Sequence, residues 1–186
     1  MRSWSERIGP DMVTALNQKT VMAVYLASVV SLVLAALSLA PSYAHVLEAT
    51  PRLTIWPAEL WRNATVFHRQ FEWFALIGAP VDIVAIIAAF TLAFLVRDRN
   101  PIFRLVVAGA AFLAMALVTW FGIVAPANAV LATWKPGPVP ADFDVIRMRW
   151  ETGHMVVAAL KFCGLILLCL AMVRQSSNDM KLTSRR

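Results

Sequence analysis

The chain has 186 residues, of which 60% are hydrophobic and 15% charged, and its mean hydropathy is +0.67. Soluble domains are roughly half apolar, so this composition excludes an ordinary soluble domain and indicates an integral membrane protein. The formal net charge is +6. Because the basic residues form short clusters beside apolar runs rather than an amphipathic face, we expect the bilayer and no nucleic acid as a partner. Cys163 and Cys169 lie inside one apolar segment and predict no disulfide.

Four apolar segments are each long enough to cross a bilayer, which needs roughly 20 helical residues. They cover residues 20–44, 71–96, 102–125 and 149–174. An even number of spans joined by short loops favours an antiparallel bundle, so the predicted fold is an all-α integral membrane four-helix bundle. In domain terms we expect an N-terminal cytoplasmic segment over 1–19, a transmembrane domain over 20–174 and a disordered cytoplasmic tail over 175–186.

Two longer connections, which we call the first and second excursions, join these spans at one end of the predicted bundle. The first excursion covers residues 45–70. Within it, Pro57 precedes Ala58 and Glu59 and predicts the start of an interfacial helix that extends into the second span. The second excursion covers residues 127–145 and is too rich in proline for a continuous helix.

The basic residues are divided unequally between the two ends of the predicted bundle. The termini and the short turn between the second and third spans, taken as residues 97–104, carry ten of them. The excursions, together with residues 147 and 149 before the fourth span, carry six, which are balanced by acids. The positive-inside rule therefore places both termini in the cytoplasm, and we expect a bacterial inner-membrane protein. The ten basic residues at the cytoplasmic end are residues 2, 7, 19, 97, 99, 104, 174, 181, 185 and 186.

Each of the three histidines has a glutamate one helical turn away, near a span end on the excursion side. Imidazole and carboxylate groups ligate transition metals, and Glu-x-x-His units facing inward are typical of di-metal bundles. The pattern predicts a metal site, with iron or copper favoured over zinc. One alternative is axial ligation of a haem by two of the histidines. The other is that these glutamates and histidines only face water and lipid headgroups, with Arg69, Arg147 and Arg149 as salt-bridge partners. The pairs are His45 with Glu48, His68 with Glu72, and Glu151 with His154.

Two charged residues lie deep within the predicted spans, Asp82 in the second and Lys161 in the fourth. At roughly 1.5 Å rise per residue, both lie about 15 to 18 Å below the excursion end, so we expect an ion pair. A charge at mid-membrane costs about 2.5 to 3.5 kcal/mol, which explains why the two should pair. The pair either fixes the register of the helices or takes part in proton movement.

Tryptophans fall mostly at predicted membrane interfaces, where they are typical of an aromatic belt. Trp73 and Trp150 also neighbour the polar cluster and are candidates for stacking on a flat ligand. Arg149, next to Trp150, is a further candidate for contact with such a ligand.

Three stretches combine polar and aromatic residues in a fixed order along the chain. They are Tyr43-Ala44-His45-Val46-Leu47-Glu48-Ala49-Thr50-Pro51, Val124-Ala125-Pro126-Ala127-Asn128 and Arg147-Met148-Arg149-Trp150-Glu151-Thr152-Gly153-His154. This order, together with four spans over roughly residues 20–173, resembles the anthrone-oxygenase-like family of small four-span membrane proteins, many of unknown function. The resemblance implies oxidation of a phenolic anthrone to a quinone by O₂. The family positions it implies are His45, Glu48, Asn128, Arg147, Trp150, Glu151 and His154.

The functional hypothesis is a membrane-embedded oxidoreductase for a hydrophobic aromatic or quinol-like molecule that enters from the lipid or the outer leaflet. Anthrone oxidation begins with removal of a C–H proton, and His154 held by Glu151 is the candidate base. Arg147 or Arg149 would stabilise the resulting anion, and Asn128 would donate a hydrogen bond to it.

Two other classes of protein fit the same sequence. One is a non-enzymatic small subunit or assembly factor, whose polar cluster docks a partner in a membrane complex or a second copy of the chain. The other is an electron carrier that binds haem or quinone. Purification behaviour and the visible spectrum separate these classes from an enzyme.

Overall fold

The computed structural model describes residues 10–183, with side chains placed in 18–69 and 71–177. All regular elements within this part of the chain are helical. Four helical segments are long and apolar enough to cross a membrane, namely Gln18–Thr54, Phe71–Leu95, Asn100–Leu131 and Phe143–Ser177. The prediction of an all-α four-helix membrane bundle is therefore confirmed. The first nine residues of the predicted N-terminal segment and the last three of the predicted tail lie outside the described residues.

The bundle consists of long α-helices with two short π-helical segments at the excursion end. In chain order the elements are α1 (Pro10–Thr54), α2 (Ala58–Arg62), the first π segment (Asn63–Phe67), α3 (Gln70–Leu95), α4 (Asn100–Thr119), the second π segment (Trp120–Val124), α5 (Ala125–Leu131) and α6 (Phe143–Thr183). Helices α1, α3, α4 and α6 form the bundle.

Helix α1 extends well beyond the predicted end of the first span. The sequence predicted a span over 20–44 and a non-membrane excursion from His45, whereas the helix continues through Pro41 and Pro51 to Thr54. Proline within a membrane helix is tolerated where neighbouring helices and side chains satisfy the freed backbone groups. His45 therefore lies on α1 itself, and its position is fixed by the helix rather than by a loop.

The third and fourth spans also differ from their predicted bounds. The helical path of the third span continues past Pro126 to Leu131, and Pro126 lies directly after the second π segment, in the first turn of α5. Helix α6 begins at Phe143 rather than near residue 149. It extends to Thr183, so the described part of the predicted disordered tail is helical.

The predicted interfacial helix is present as α2, which begins directly after Pro57. The sequence predicted that this helix would extend into the second span, but α2 ends at Arg62. Arg69 adopts a left-handed conformation with φ of 59° and separates the first π segment from α3. The first excursion therefore folds back over the end of the bundle before the chain re-enters it.

At the turn end, where α3 and α4 are joined, the bundle is closed by apolar side chains. Val24, Val96, Ile102 and Ala171 belong to one buried cluster, so α1 at Val24 and α6 at Ala171 lie beside this turn. Helices α4 and α6 cross closely further along. A Cβ on Gly109 would lie 3.1 Å from the carbonyl oxygen of Gly164, which explains why small residues stand at this crossing.

At the excursion end, a second buried cluster covers the bundle, and we call it the cap. Arg62 joins the two excursions there, because its guanidinium donates to the carbonyl oxygens of Gly137 at 2.7 Å and Pro138 at 2.8 Å. These bonds hold the proline-rich segment against the first excursion. The buried residues of the cap are Trp61, Val66, Phe71, Val124, Ala127, Leu131, Phe143 and Trp150.

Candidate functional site

Beneath the cap, two of the three histidines stack on one another. The rings of His45, on α1, and His154, on α6, have centroids 4.0 Å apart and planes inclined by 21°. Both side chains are buried, with 2% and 7% of their surface exposed. Neither ring nitrogen of His45 has a hydrogen-bond partner among the described residues. Buried polar atoms in native proteins are nearly always paired, so this imidazole pair calls for a functional explanation.

Aromatic side chains surround the imidazole pair. Trp150 contacts both histidines edge-on, with ring centroids 5.0 Å from His45 and 4.4 Å from His154, and Phe74 lies 4.6 Å from His45. The indole N–H of Trp150 donates to Oδ1 of Asn128 at 2.8 Å. That bond fixes the orientation of the indole and leaves the amide N–H groups of Asn128 as potential donors.

A charged cluster lies on the cap side of the histidines. Arg52 is 1% exposed and lies between two carboxylates, with Nε 3.3 Å from Glu48 Oε2 and Nη1 3.6 Å from Glu151 Oε1. Trp61 donates its indole N–H to Glu151 Oε1 at 2.8 Å, while Oε2 has no hydrogen-bond partner in the described structure. The guanidinium of Arg52 thus counters the charge of both carboxylates on the cap side of the histidines.

On the other side of the histidines, Lys161 and Asp82 form a buried ion pair. The ammonium nitrogen of Lys161 lies 2.7 and 2.8 Å from the two carboxylate oxygens of Asp82, as their matched depths predicted. It also donates to the hydroxyl of Ser42 at 3.0 Å and to the carbonyl of Ser38 at 3.1 Å, while the Ser38 hydroxyl donates to Asp82. The polar groups of this pair are therefore well satisfied, which is what a charge pair in an apolar bundle requires.

A small cavity connects the imidazole pair with the ion pair. It has an internal volume of about 40 Å³, which is enough for a few water molecules or one edge of a larger molecule. His45, His154, Asn128 and Lys161 line it together with apolar and aromatic residues. The same cavity is thus lined by two imidazoles, an amide and a charged pair within an otherwise apolar wall.

The third predicted His/Glu pair lies outside this cavity. His68 is exposed at the end of the first π segment, and Glu72 accepts hydrogen bonds from Arg69 at 2.7 and 2.5 Å on the surface. This hydrogen bond, together with the charge of Glu72, raises the pKa of the Arg69 guanidinium. Trp73, a predicted ligand contact, is 58% exposed beside Glu72. These residues lie on the surface of the protein. The exposed salt bridge with Arg69 is enough to explain the position of Glu72 without a bound metal.

The two arginines of the fourth-span motif are also not among the residues that line the cavity. Arg147 pairs with Asp144 at 2.9 Å, and Arg149 is exposed and lies 3.4 Å from the carbonyl oxygen of Gly122. Neither lines the cavity, so the predicted contact with a substrate anion has no support from their positions. Lys161 is the cation that does line the cavity.

The six predicted metal ligands do not form one site. His45 and His154 meet, Glu48 and Glu151 are engaged by Arg52, and the remaining two are on the surface. Among the described residues, no group of three or more His, Cys, Asp or Glu side chains is arranged to hold a metal ion. A structural or catalytic metal usually needs at least three protein ligands, so this arrangement does not fit one.

The imidazole pair does not fit a haem either. Two histidines that ligate one haem iron approach it from opposite faces of the macrocycle. Here the rings are stacked with centroids 4.0 Å apart, which leaves no space for a macrocycle between them.

Sequence reasoning missed the residues that join these groups, above all Arg52, Trp61 and the serines of α1. A usable signal was present, since Ser38, Ser42, His45 and Arg52 follow a helical spacing along one face. The predicted end of the first span at Ala44 concealed it, because Arg52 was assigned to a loop. Trp61 had no such signal, since its bond to Glu151 joins residues 90 positions apart.

Comparison with protein-family models, with curated proteins and with solved structures finds no match.

Proposed function

We propose that this chain is a membrane-embedded oxidoreductase, in which a buried imidazole removes a proton from a hydrophobic aromatic or quinol-like substrate and O₂ accepts the electrons. The observation that carries this proposal is the stacked pair of His45 and His154 in a cavity with aromatic walls. A neutral imidazole has a ring nitrogen lone pair that can accept a proton, so it can act as a general base. The ring nitrogens of His45 have no hydrogen-bond partner among the described residues. Such an imidazole in an apolar bundle is otherwise hard to explain, because burial of unsatisfied polar atoms is destabilising.

For an anthrone the reaction needs no bound metal. The base removes a proton from the methylene carbon between the two aromatic rings, which produces a phenolate-like anion. Oxidation of this anion by O₂ places one oxygen atom on that carbon as a carbonyl group and releases the other as water. The balance is one anthrone and one O₂ to one anthraquinone and one water, so no further reductant is required.

The surrounding residues have distinct roles in this proposal. His154 accepts the proton, and it lies one helical turn from the carboxylate of Glu151 on α6. Asn128 donates an amide N–H to the developing oxyanion, since its Oδ1 is already held by Trp150. The ion pair of Lys161 and Asp82 forms the opposite wall of the cavity.

The test is an assay with a hydroxylated anthrone in vesicles that contain the purified protein, with both O₂ uptake and quinone absorbance measured. Removing a general base typically lowers a rate by about 10²–10⁴-fold, and we expect this for His154→Ala. His68→Ala is the matched control, because that histidine is exposed and lies outside the cavity. Equal rates for wild type and His154→Ala would refute the proposed base, and no O₂ uptake by the wild type would favour a non-enzymatic subunit.

A further inference from the structure

One face of α3 changes from buried to partly exposed at Asp82. Positions on this face recur every three or four residues, so they point in the same direction. From Asp82 towards the turn end they are buried, with Ala85 at 1% and Ala89 at 0% exposure. Towards the excursion end, Ala75 and Gly78 on the same face are only partly buried, and Phe71 beyond them is buried again. The bundle is thus closed along the turn-end half of α3 and less completely covered between Phe71 and Asp82.

The less completely covered part of α3 forms one wall of the cavity that contains the histidines. We call its three small residues, Ala75, Gly78 and Ala79, the α3 cleft, and all three line that cavity. A Cβ built on Gly78 meets no heavy atom within 4 Å. Empty space therefore reaches the backbone of α3, at a depth where a helix of this hydropathy is surrounded by lipid.

Along the bundle axis, both directions out of the cavity are blocked. Towards the excursion end, the cap covers the histidines with Trp61 and Trp150, which are both 0% exposed, and Arg62 ties the excursions together above them. Towards the turn end, the ion pair of Lys161 and Asp82 and the apolar core fill the bundle.

We infer that the α3 cleft is a lateral portal, through which a flat apolar molecule dissolved in the bilayer reaches His45 and His154 without passing through water. This inference rests on the proposed function and specifies its substrate class as membrane-partitioning rather than water-borne. The small side chains fit a thin aromatic edge. The internal volume of about 40 Å³ admits the reacting edge of the molecule while the rest lies in the cleft and the lipid.

The access route can be measured without any enzymatic activity. A nitroxide is attached to Gly78→Cys in a Cys163→Ser/Cys169→Ser background, and its collisions with O₂ and with a water-soluble nickel complex are compared by EPR. Leu76→Cys, at a side chain 65% exposed on the apolar surface, serves as the lipid reference. Lys135→Cys, exposed in the second excursion, serves as the water reference.

If the portal opens to lipid, the label at Gly78 shows the high O₂ and low nickel accessibility of the Leu76 reference. Nickel accessibility like that of the Lys135 reference would overturn the inference, because the cleft would then open to water. Low accessibility to both reagents would overturn it as well, because the cleft would then be closed.

The second measurement blocks the cleft. Gly78→Phe places a ring in the empty space, and we expect kcat/KM for a vesicle-dissolved anthrone to fall by about tenfold or more. Gly122→Phe is the control, since its Cβ also meets nothing within 4 Å but it does not line the cavity. Full activity of Gly78→Phe would overturn the portal. Should the wild type show no turnover, the proposed reaction fails, while the EPR comparison still decides whether the portal exists.

Discussion

Among single residues, Lys161 has the most complete set of partners in the interior of the bundle. Its ammonium group contacts both carboxylate oxygens of Asp82 and two oxygens on α1. Three helices therefore meet at one charged group. In an apolar surrounding such a pair fixes the register of helices, because any sliding of α1, α3 or α6 would separate the charges.

Asp82→Asn should destabilise the protein, because it leaves the charge of Lys161 without a counter-ion. Breaking a buried pair by changing one partner typically costs about 3–5 kcal/mol. We expect a lower thermal unfolding temperature in detergent and a lower yield of folded protein. The double variant Asp82→Asn/Lys161→Met should recover much of the loss, and an unchanged unfolding temperature for the single variant would contradict a stabilising role of the pair.

Glu151→Gln tests the charged cluster under the cap. The glutamine oxygen still accepts the hydrogen bond from Trp61, but the counter-charge near Arg52 is lost. We expect a loss of about 1–3 kcal/mol in the free energy of unfolding, measured by thermal or denaturant unfolding. Glu72→Gln is the control, and it should leave stability unchanged because its pair with Arg69 is exposed. Equal effects of both variants would show that Arg52 does not depend on Glu151.

At the scale of elements, the short second π segment fits closely against α6. A Cβ on Gly153 would lie 2.8 Å from Cγ2 of Val124 and 2.9 Å from Cγ2 of Ile123. Gly153 is the residue immediately before His154, so this contact holds the imidazole at a fixed depth under the cap.

Gly153→Ala should therefore destabilise the protein by about 1–3 kcal/mol, since overpacking forces backbone shifts, and it should lower activity by displacing His154. Gly122→Ala is the matched substitution, because its Cβ meets no heavy atom within 4 Å. It should be neutral or slightly stabilising, since alanine is the better helix former. Thermal unfolding of both variants decides the matter, and an equal response would mean that the contact between α6 and the π segment can adjust freely.

The number of helices could be predicted from the sequence, whereas several of their ends could not. Four apolar runs exceed the bilayer thickness, and that property alone determines the count. The ends depend on tertiary contacts. Polar residues such as His45 and Arg52 ended the predicted first span, yet α1 keeps them helical because α6 and the cap supply their partners. A hydropathy profile of the sequence contains no information about these tertiary partners.

The same distinction applies to the candidate site. Spacing and depth predicted the approach of Asp82 to Lys161, because burying a charge in an apolar bundle is costly unless an opposite charge lies beside it. Helical spacing alone could not tell which of the three His/Glu pairs converge. His68 follows the spacing rule as well as His45 does, but the left-handed Arg69 that follows it leaves it on the surface.

At the scale of the whole molecule, the two ends of the bundle differ in character. The turn end is filled with apolar side chains, while the excursion end carries the cap, the charged cluster and the cavity. The basic residues near the termini and the turn support the proposal that the turn end faces the cytoplasm.

This orientation predicts that a fluorescent protein which matures only in the cytoplasm will be bright when fused to the C-terminus. An alkaline phosphatase, which is active only outside the cytoplasm, should be inactive at the same position and active when inserted in the second excursion beside Lys135. The opposite pattern would place the cap in the cytoplasm. The portal along α3 would remain possible in either orientation, since it opens to the bilayer.

The most direct test of the proposed chemistry is proton exchange in the absence of O₂. A hydroxylated anthrone deuterated at its methylene carbon is incubated anaerobically with the protein in vesicles, and loss of deuterium to water is followed by NMR or mass spectrometry. If His154 removes this proton, wild type and His68→Ala accelerate the exchange, and His154→Ala loses about 10²–10⁴-fold of that acceleration. Exchange at the uncatalysed rate with wild-type protein, or an undiminished rate with His154→Ala, would contradict a buried imidazole acting as the base.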